Sequence, residues 1–175
     1  MNHVLKSLLI IALLIIIGCT NINTTPTIYT NAGCKWGIAT FTNNTEVPQA
    51  GNRAMSVTSG ILRTKGARTI LIYPSSANCN KLIICPNATV PLEAALKWAR
   101  HNHITYVVMG AVNEWDYKVG LDGEPAAAIS LQVYNAKSGQ IIWSAVGSKI
   151  GTSRSGLGVT AQALIIQMLR SLQIM

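Results

Sequence analysis

Negative charge is scarce in this chain of 175 residues, which has six Asp and Glu against fourteen Lys and Arg. Charged residues of both signs make up only 11% of the sequence, and the formal net charge at pH 7 is +8. An exterior with so little charge exposes apolar surface, which usually marks a site of association. We therefore expect a homo-oligomer. Because carboxylates are rare, any segment that collects several of them is informative.

Signatures of catalysis are missing as well. The sequence has neither a glycine-flanked nucleophile with histidine partners nor a glycine-rich loop that would cradle phosphates. His101 and His103 form an isolated pair with no evident acid to orient them, which is typical of surface histidines rather than of a metal site. Glu114 and Asp116 could form a glycosidase pair, but nothing in the sequence suggests a substrate cleft around them. We expect no catalysis, no metal and no other cofactor.

The apolar run near the start, Leu8 to Ile17, is too short for a permanent membrane helix, which needs about 20 residues. Lys6 precedes this run, and Gly18 and Cys19 follow it, an order typical of a bacterial lipoprotein signal in which the cysteine is lipidated. We predict that residues 1–18 are a signal peptide and that Cys19 carries the lipid. An ordinary secretory signal that happens to hold a cysteine is the alternative.

The residues after the signal predict where the mature protein resides. The residue after Cys19 is Thr20 and not Asp, which agrees with sorting to the outer membrane. Several acyl chains would anchor the protein there, facing the periplasm. Residues 19–34 are rich in Asn, Thr and Pro without apolar periodicity, which predicts a flexible tether. Residues 35–175 are long enough for a single periplasmic domain with its own core.

Cysteine spacing suggests one candidate disulfide. Cys79 and Cys85 lie close together in a stretch without readable periodicity, and the periplasm permits disulfides. Free thiols remain the alternative. A metal site at these cysteines is not expected because no fourth ligand lies near them.

Periodicity predicts a single α/β (α+β) domain, a mixed β-sheet with packed helices in the order β-α-β-α-β-β-β-α. Apolar residues on both faces of the predicted strand 140–148 indicate that the sheet is covered on both sides. Strands are predicted at 35–41, 68–73, 104–117, 126–134 and 140–148, and helices at 50–65, 91–100 and 157–172.

Four of the six carboxylates fall within one segment, EWDYKVGLDGE, as Glu114, Asp116, Asp122 and Glu124. Two strand-like runs flank its Gly-Leu-Asp-Gly centre, which predicts a tight β-hairpin. Turns often collect polar residues, and this is the simpler explanation for any single acid. Four acids on a basic background predict an acidic edge that is presented to a cationic partner.

The same segment resembles a known family. EWDYKVGLDGEPAA from Glu114 and LQVYNAKSGQIIWSA from Leu131 resemble the PelC family of outer-membrane lipoproteins of Pel exopolysaccharide export. PQAGNRA from Pro48 and ALKWAR from Ala95 support the resemblance, which covers most of residues 36–172. Shorter pieces such as SGQIIWS also occur in CsgG and TolB amino-terminal relatives and indicate only the fold.

The resemblance implies a fold like the TolB amino-terminal domain and a twelve-subunit ring beneath the outer membrane. Such a ring guides a cationic, partly deacetylated amino-sugar polymer through an acidic funnel to an outer-membrane β-barrel protein. Asp122, in the matching VGLDGEP context, is carried over onto this funnel. Asp116, Glu114 and Glu124 are assigned to it on the charge pattern alone.

The resemblance also implies a membrane-facing segment. The family has a tryptophan before Ser-Arg that faces the membrane, and here Thr152 takes its place before Ser153 and Arg154. Arg154 keeps a positive charge for anionic head groups of the inner leaflet, whereas an aromatic anchor is lost at Thr152. Nucleic acid is not an expected partner at a periplasmic address.

A second class of function stays open at this point. The chain could be an interaction module of the same fold that activates a cell-wall synthase as a monomer, or a part of another secretion apparatus. The oligomeric state separates a monomeric activator from a ring.

Overall fold

The computed structural model describes residues 19–74, 89–120 and 123–175. The predicted disulfide cysteines Cys79 and Cys85, and Asp122, lie outside these ranges. The strands are β1 (Thr20–Thr24), β2 (Ile28–Thr30), β3 (Lys35–Ile38), β4 (Thr42–Asn43), β5 (Thr69–Ile72), β6 (Tyr106–Tyr117), β7 (Pro125–Asn135), β8 (Ile141–Ile150) and β9 (Leu172–Ile174). The helices are α1 (Ala50–Thr64), α2 (Leu92–His101) and α3 (Leu157–Met168), and one 3-10 turn (Leu169–Ser171) follows α3.

The main sheet runs in the order β1-β8-β7-β6-β3-β5, and β4 also pairs with β6. Neighbouring strands from β6 through β7 and β8 to β1 are antiparallel, whereas β3 is parallel to both β5 and β6. Strands β2 and β9 form a separate parallel pair. The predicted α+β class is confirmed, and the structure adds β1, β2, β4 and β9 to the predicted order.

The prediction of a flexible tether over residues 19–34 is wrong. Thr20–Thr24 pairs along β8, and the backbone N–H of Ile150 donates a hydrogen bond to the Cys19 carbonyl at 3.0 Å. Hydrophobic periodicity did not reveal this strand because its side chains are mostly polar, and Ile22 is its one residue that packs against the core. Backbone hydrogen bonds, which every residue type except proline can make in full, hold the segment to the sheet.

Helices α1 and α3 pack on one face of the sheet, which we call the helix face. Their apolar side chains bury Trp36, Phe41 and Trp143 in the larger core cluster. Among the described residues, helix α2 covers the other face near β3 and β6, where Leu96 packs against Val107 and their neighbours in a smaller cluster. The expected coverage of both faces therefore holds for part of the sheet.

We call the part of this face that no described helix covers, over β7, β8, β1 and the hairpin end of β6, the open face. Its side chains include Asn23, Ser130, Gln132, Ser144 and Val146, which line a shallow groove of about 420 Å³. Val146 on this face is 49% exposed. The lining of this groove is thus mostly polar, with hydroxyl and amide groups and no charged side chain among the described residues.

The predicted end of the first helix at residue 65 is confirmed to within one residue. Lys65 caps α1, and Gly66 follows with φ of 113°, a left-handed conformation that glycine adopts without strain. The last predicted helix ends earlier than residue 172, because Leu172–Ile174 leaves the helical path to pair with β2.

Substituting Gly51 in α1 by alanine should destabilise the fold. A Cβ at Gly51 would lie 2.2 Å from the carbonyl oxygen of Phe41, so the helix would have to move away from the backbone it rests on. We expect a loss of about 1–3 kcal/mol in the free energy of unfolding, the range typical of overpacking. Urea unfolding measures it.

Gly60 in the same helix provides the matched control. A Cβ there would meet nothing within 4 Å, so Gly60→Ala should raise the stability by about 0.5–1 kcal/mol through helix propensity. Equal changes at the two positions would contradict the close approach of α1 to Phe41.

Candidate functional site at the acidic end of the sheet

A β-bulge decides where the two acids of β6 point. The register is irregular between Val112, which faces Ile129, and Glu114, which faces Ala128. The extra residue shifts the alternation of side chains, so that Trp115 is buried in the core. Glu114 and Asp116 therefore both project from the open face.

The two acids differ in what neutralises them. Lys118 Nζ donates a hydrogen bond to Glu114 Oε1 and forms an ion pair between partly exposed side chains. The exposed Asp116 accepts a hydrogen bond from the backbone N–H of Tyr117 at 2.7 Å. Within residues 19–74, 89–120 and 123–175, Asp116 and Glu124 form no ion pair. Their charges remain available to a partner, whereas that of Glu114 is largely offset.

The predicted hairpin is confirmed on both sides of its tip. Pairing of β6 and β7 extends to Tyr117 and Pro125, and the Lys118 N–H donates to the Glu124 carbonyl at 2.7 Å. Asp122 belongs to the same hairpin by sequence but lies outside the described residues.

Glu46 lies near the same end of the sheet as the acidic hairpin, although the sequence pattern did not predict it. Strand β4 pairs with β6 at Val112, and Asn44 continues the contact with an N–H donated to the Val112 carbonyl at 2.8 Å. The Asn44 amide also donates to Asn113 Oδ1 at 2.9 Å, beside the bulge. Exposed Glu46 follows two residues later. No local pattern could have revealed a neighbour so distant in sequence.

Cys19 lies at this end of the sheet as well. Thr20 pairs with Lys149, and β8 ends at Ile150 opposite Ala126 at the base of the hairpin. The Cys19 carbonyl accepts its hydrogen bond from the Ile150 N–H. The predicted lipid-bearing residue is therefore attached directly to the sheet, without a linker between them.

The turn after β8 adjoins the same place. The Gly151 N–H donates to the Pro125 carbonyl at 2.8 Å, which ties the turn to the hairpin. Thr152 and Arg154 in this turn are both exposed, and Thr152 is hydrogen-bonded to Ser155 between their hydroxyl oxygens at 2.9 Å. The structure therefore brings the predicted membrane-facing residues next to the predicted lipidation site.

An aromatic side chain is present at this end although Thr152, where the resemblance implies a tryptophan, is not aromatic. Tyr117 is 49% exposed, and its hydroxyl oxygen accepts a hydrogen bond from the Leu157 N–H at 3.3 Å. Val119, two residues further along the hairpin, is fully exposed. Sequence comparison at position 152 alone had missed Tyr117.

Positive charge gathers at the opposite end. Lys35 begins β3 beside Thr69 of β5, and the turn that follows β7 at Asn135 lies beside Tyr106. Side chains placed at or near this end are Lys35, Arg63, Lys65, Arg68, Arg100 and Lys137. Charge is thus divided along the strands, although Lys118, Lys149 and Arg154 remain at the acidic end.

The remaining candidate ligands in the described ranges are spread over the fold. Among the described residues, no group of three His, Cys, Asp or Glu side chains is placed to hold a metal ion. Cys34 is a free thiol beside Tyr106. Burial raises the pKa of Tyr106, and the neighbouring Cys34 raises it further by a smaller amount. In the same parts of the chain, no helix is long and apolar enough to cross a membrane.

Solved structures decide the family. A PelC dodecamer from Paraburkholderia phytofirmans matches with a TM-score of 0.76 and 33% sequence identity, over 90% of this chain and 99% of that chain. The chain belongs to the PelC family. A Leu-to-Met variant of the PelC dodecamer from the same organism matches with a TM-score of 0.72 and 32% identity, over 86% and 97% of the two chains.

More distant structures share the fold alone. Lipoprotein GNA1162 from Neisseria meningitidis matches with a TM-score of 0.52 and 14% identity, over 77% of this chain and 97% of that chain. No family model and no curated protein matches the sequence.

Membership of the PelC family confirms the resemblance carried by the EWDYKVGLDGE segment. Both PelC relatives are dodecamers, which supports the predicted homo-oligomer. The fold brings together Cys19, Arg154 and the acids of the hairpin, which sequence reasoning had placed in three separate segments.

Proposed function

We propose that this PelC-family protein is a lipid-anchored, non-enzymatic component of exopolysaccharide export at the outer membrane. Its ring guides a cationic, partly deacetylated polysaccharide to an outer-membrane β-barrel protein. The observation that carries the proposal is that Asp116 and Glu124, which have no ion-pair partner among the described residues, share one end of the sheet with Cys19.

Repetition around a ring would turn these few charges into a field. Ammonium groups on a polymer are attracted to carboxylates over about a Debye length, near 8 Å at physiological salt, so one carboxylate has little effect. Copies of the same acids around a closed ring sum into a potential that steers a diffusing polycation. Weak repeated contacts of this kind suit a moving polymer better than tight binding.

The position of Cys19 supports an acidic end that adjoins the bilayer. Because β1 starts directly after Cys19, acyl chains on this residue would leave the protein at the sheet itself. Lys149 is in register with the core residue Ala127, so it projects towards the helix face, whereas Glu114 and Asp116 project from the open face. Basic side chains such as Lys149 and Arg154 contribute about 1 kcal/mol each near anionic head groups.

The open face supports a polymer rich in hydroxyl and acetamido groups. Glu114 and Asp116 stand at one end of it, and the groove lined by Ser130, Gln132 and Ser144 continues along the same face. Neutral hydrogen-bonding groups beside unpaired carboxylates would contact both the acetylated and the deacetylated sugars of such a chain.

The test removes the negative charges while keeping the shape of the side chains. A triple variant, Asp116→Asn, Asp122→Asn and Glu124→Gln, should secrete markedly less polymer, with the mass of the ring unchanged. Binding of partly deacetylated chitosan oligosaccharides to the purified ring should weaken several-fold and fall with added salt, since each exposed charge pair contributes about 0–1 kcal/mol. Normal export by the triple variant would refute the acidic funnel.

Two single variants serve as controls. Glu93→Gln removes an exposed carboxylate from the start of α2, outside the hairpin, and should leave export unchanged. Glu114→Gln should have a smaller effect than Asp116→Asn, because Lys118 already offsets its charge. A wild-type protein that is monomeric would instead favour the synthase activator.

A further inference from the structure

Helix α3 is uncharged throughout, yet one of its sides faces outward. None of its twelve residues is charged. Val159 is 66% exposed and Ile166 is 42% exposed, with exposed Gln162 between them on the same side. A helix that is apolar all round is normally buried. Within residues 19–74, 89–120 and 123–175, the outward side of α3 therefore lacks the cover that its composition calls for.

The same side of α3 forms a groove with α1. The groove has a volume of about 580 Å³, and its apolar lining includes Val57, Ile61 and Ile166. Lys65 and Arg170 supply the charged part of its lining, and both are cations.

Two glycines on these helices have no close neighbour among the described residues that would require glycine. A Cβ at Gly60 in α1, or at Gly158 in the first turn of α3, would meet nothing within 4 Å. Glycine in a helix lowers stability by about 0.5–1 kcal/mol relative to alanine. Close approach of a backbone to another molecule is one use of glycine, and Gly60 lies in the lining of the groove.

We propose that the groove between α1 and α3 receives the neighbouring copy of this chain in the ring. The proposal rests on the ring of the proposed function and names the surface that closes it. A ring of more than two copies needs two different contact surfaces on each subunit. Both charged residues in the lining, Lys65 and Arg170, are cations. If two copies of the groove faced each other, these like charges would repel. The groove therefore contacts a different surface of the next copy, as a closed ring requires.

The test substitutes a charged side chain at the exposed centre of the groove. Ile166→Glu in the lipidated protein, purified in detergent, should reduce the assembly to monomers in sedimentation or native mass spectrometry. Ile141→Glu is the matched control, because Ile141 is 48% exposed but lies at the start of β8, outside the groove. The control should keep the mass of the wild-type ring.

A second variant separates assembly from folding. Gly60→Leu places a side chain where no described residue of the same subunit lies within 4 Å of the added Cβ, so its thermal midpoint should be unchanged or higher. The assembly should nevertheless be lost, because the side chain occupies the space of the neighbour. Rings of normal mass in both Ile166→Glu and Gly60→Leu would overturn the groove as the contact, and would leave the acidic funnel untouched. A wild-type monomer would instead remove the ring itself.

Discussion

Replacing Cys19 by serine should release the protein from the outer membrane into the soluble periplasmic fraction. Residues 1–18 are exchanged for an ordinary cleavable secretory signal in this variant, so that the absence of lipid does not block processing. Each buried methylene of an acyl chain contributes about 0.8 kcal/mol, so losing several chains leaves only weak surface contacts. Fractionation of cells, followed by flotation with vesicles, measures the change.

Cys34→Ser is the matched control for the anchor. Cys34 is a free thiol beside Tyr106, outside the signal motif, and its loss should leave the protein in the membrane fraction. Release of both variants, or of neither, would contradict lipidation at Cys19.

The structure also separates anchoring from orientation. A flexible linker of Gly and Ser inserted between Cys19 and Thr20 keeps the lipid but frees the domain from the bilayer. We expect such a variant to remain in the membrane fraction and to export less polymer, because the acidic end no longer lies at a fixed distance from the membrane. Full export with the linker would mean that the close attachment of β1 has no role in transport.

Trp143→Ala should cause the largest loss of stability among the variants considered. Trp143 is the third residue of β8, is completely buried and belongs to the larger core cluster. Its Nε1–H donates to Ser171 Oγ at 2.8 Å, which links the sheet to the turn after α3. Truncating a buried tryptophan typically lowers the free energy of unfolding by about 3–5 kcal/mol. Urea unfolding of the soluble Cys19→Ser form provides the measurement.

Ser171→Ala distinguishes packing from hydrogen bonding at the same place. It leaves the Trp143 N–H without its partner and should lower stability by about 1–3 kcal/mol. An equal loss in the two variants would mean that the hydrogen bond, and not the buried indole, holds β8 to the end of the chain.

Hydrophobic periodicity predicted the elements that build the core. The predictions at 50–65, 104–117 and 126–134 agree with α1, β6 and β7 to within a few residues, because their apolar side chains repeat at the helix or strand period. Short polar strands escaped the same reasoning. Strand β1 reads as a linker because its stability comes from backbone hydrogen bonds to β8.

The acidic site was predictable in composition but not in arrangement. Clustering within eleven residues identified Glu114, Asp116, Asp122 and Glu124. Nothing local indicated that Lys118 pairs with Glu114, or that Glu46 lies near the bulge. Those relations depend on side-chain reach and on a pairing between strands that are far apart in sequence.

From the sequence alone came the class of the fold, the segment in which negative charge collects, and the prediction of a lipid-bearing Cys19. Only the tertiary structure decided that Glu114 turns away from the core and that Cys19 shares one end of the sheet with the acidic hairpin. The same holds for the side of α3 that no described residue covers. The reason is physical. Local sequence patterns reflect interactions between residues that are close along the chain. The position of an edge strand or a bulge depends instead on hydrogen bonds between backbone groups, which nearly every residue type has.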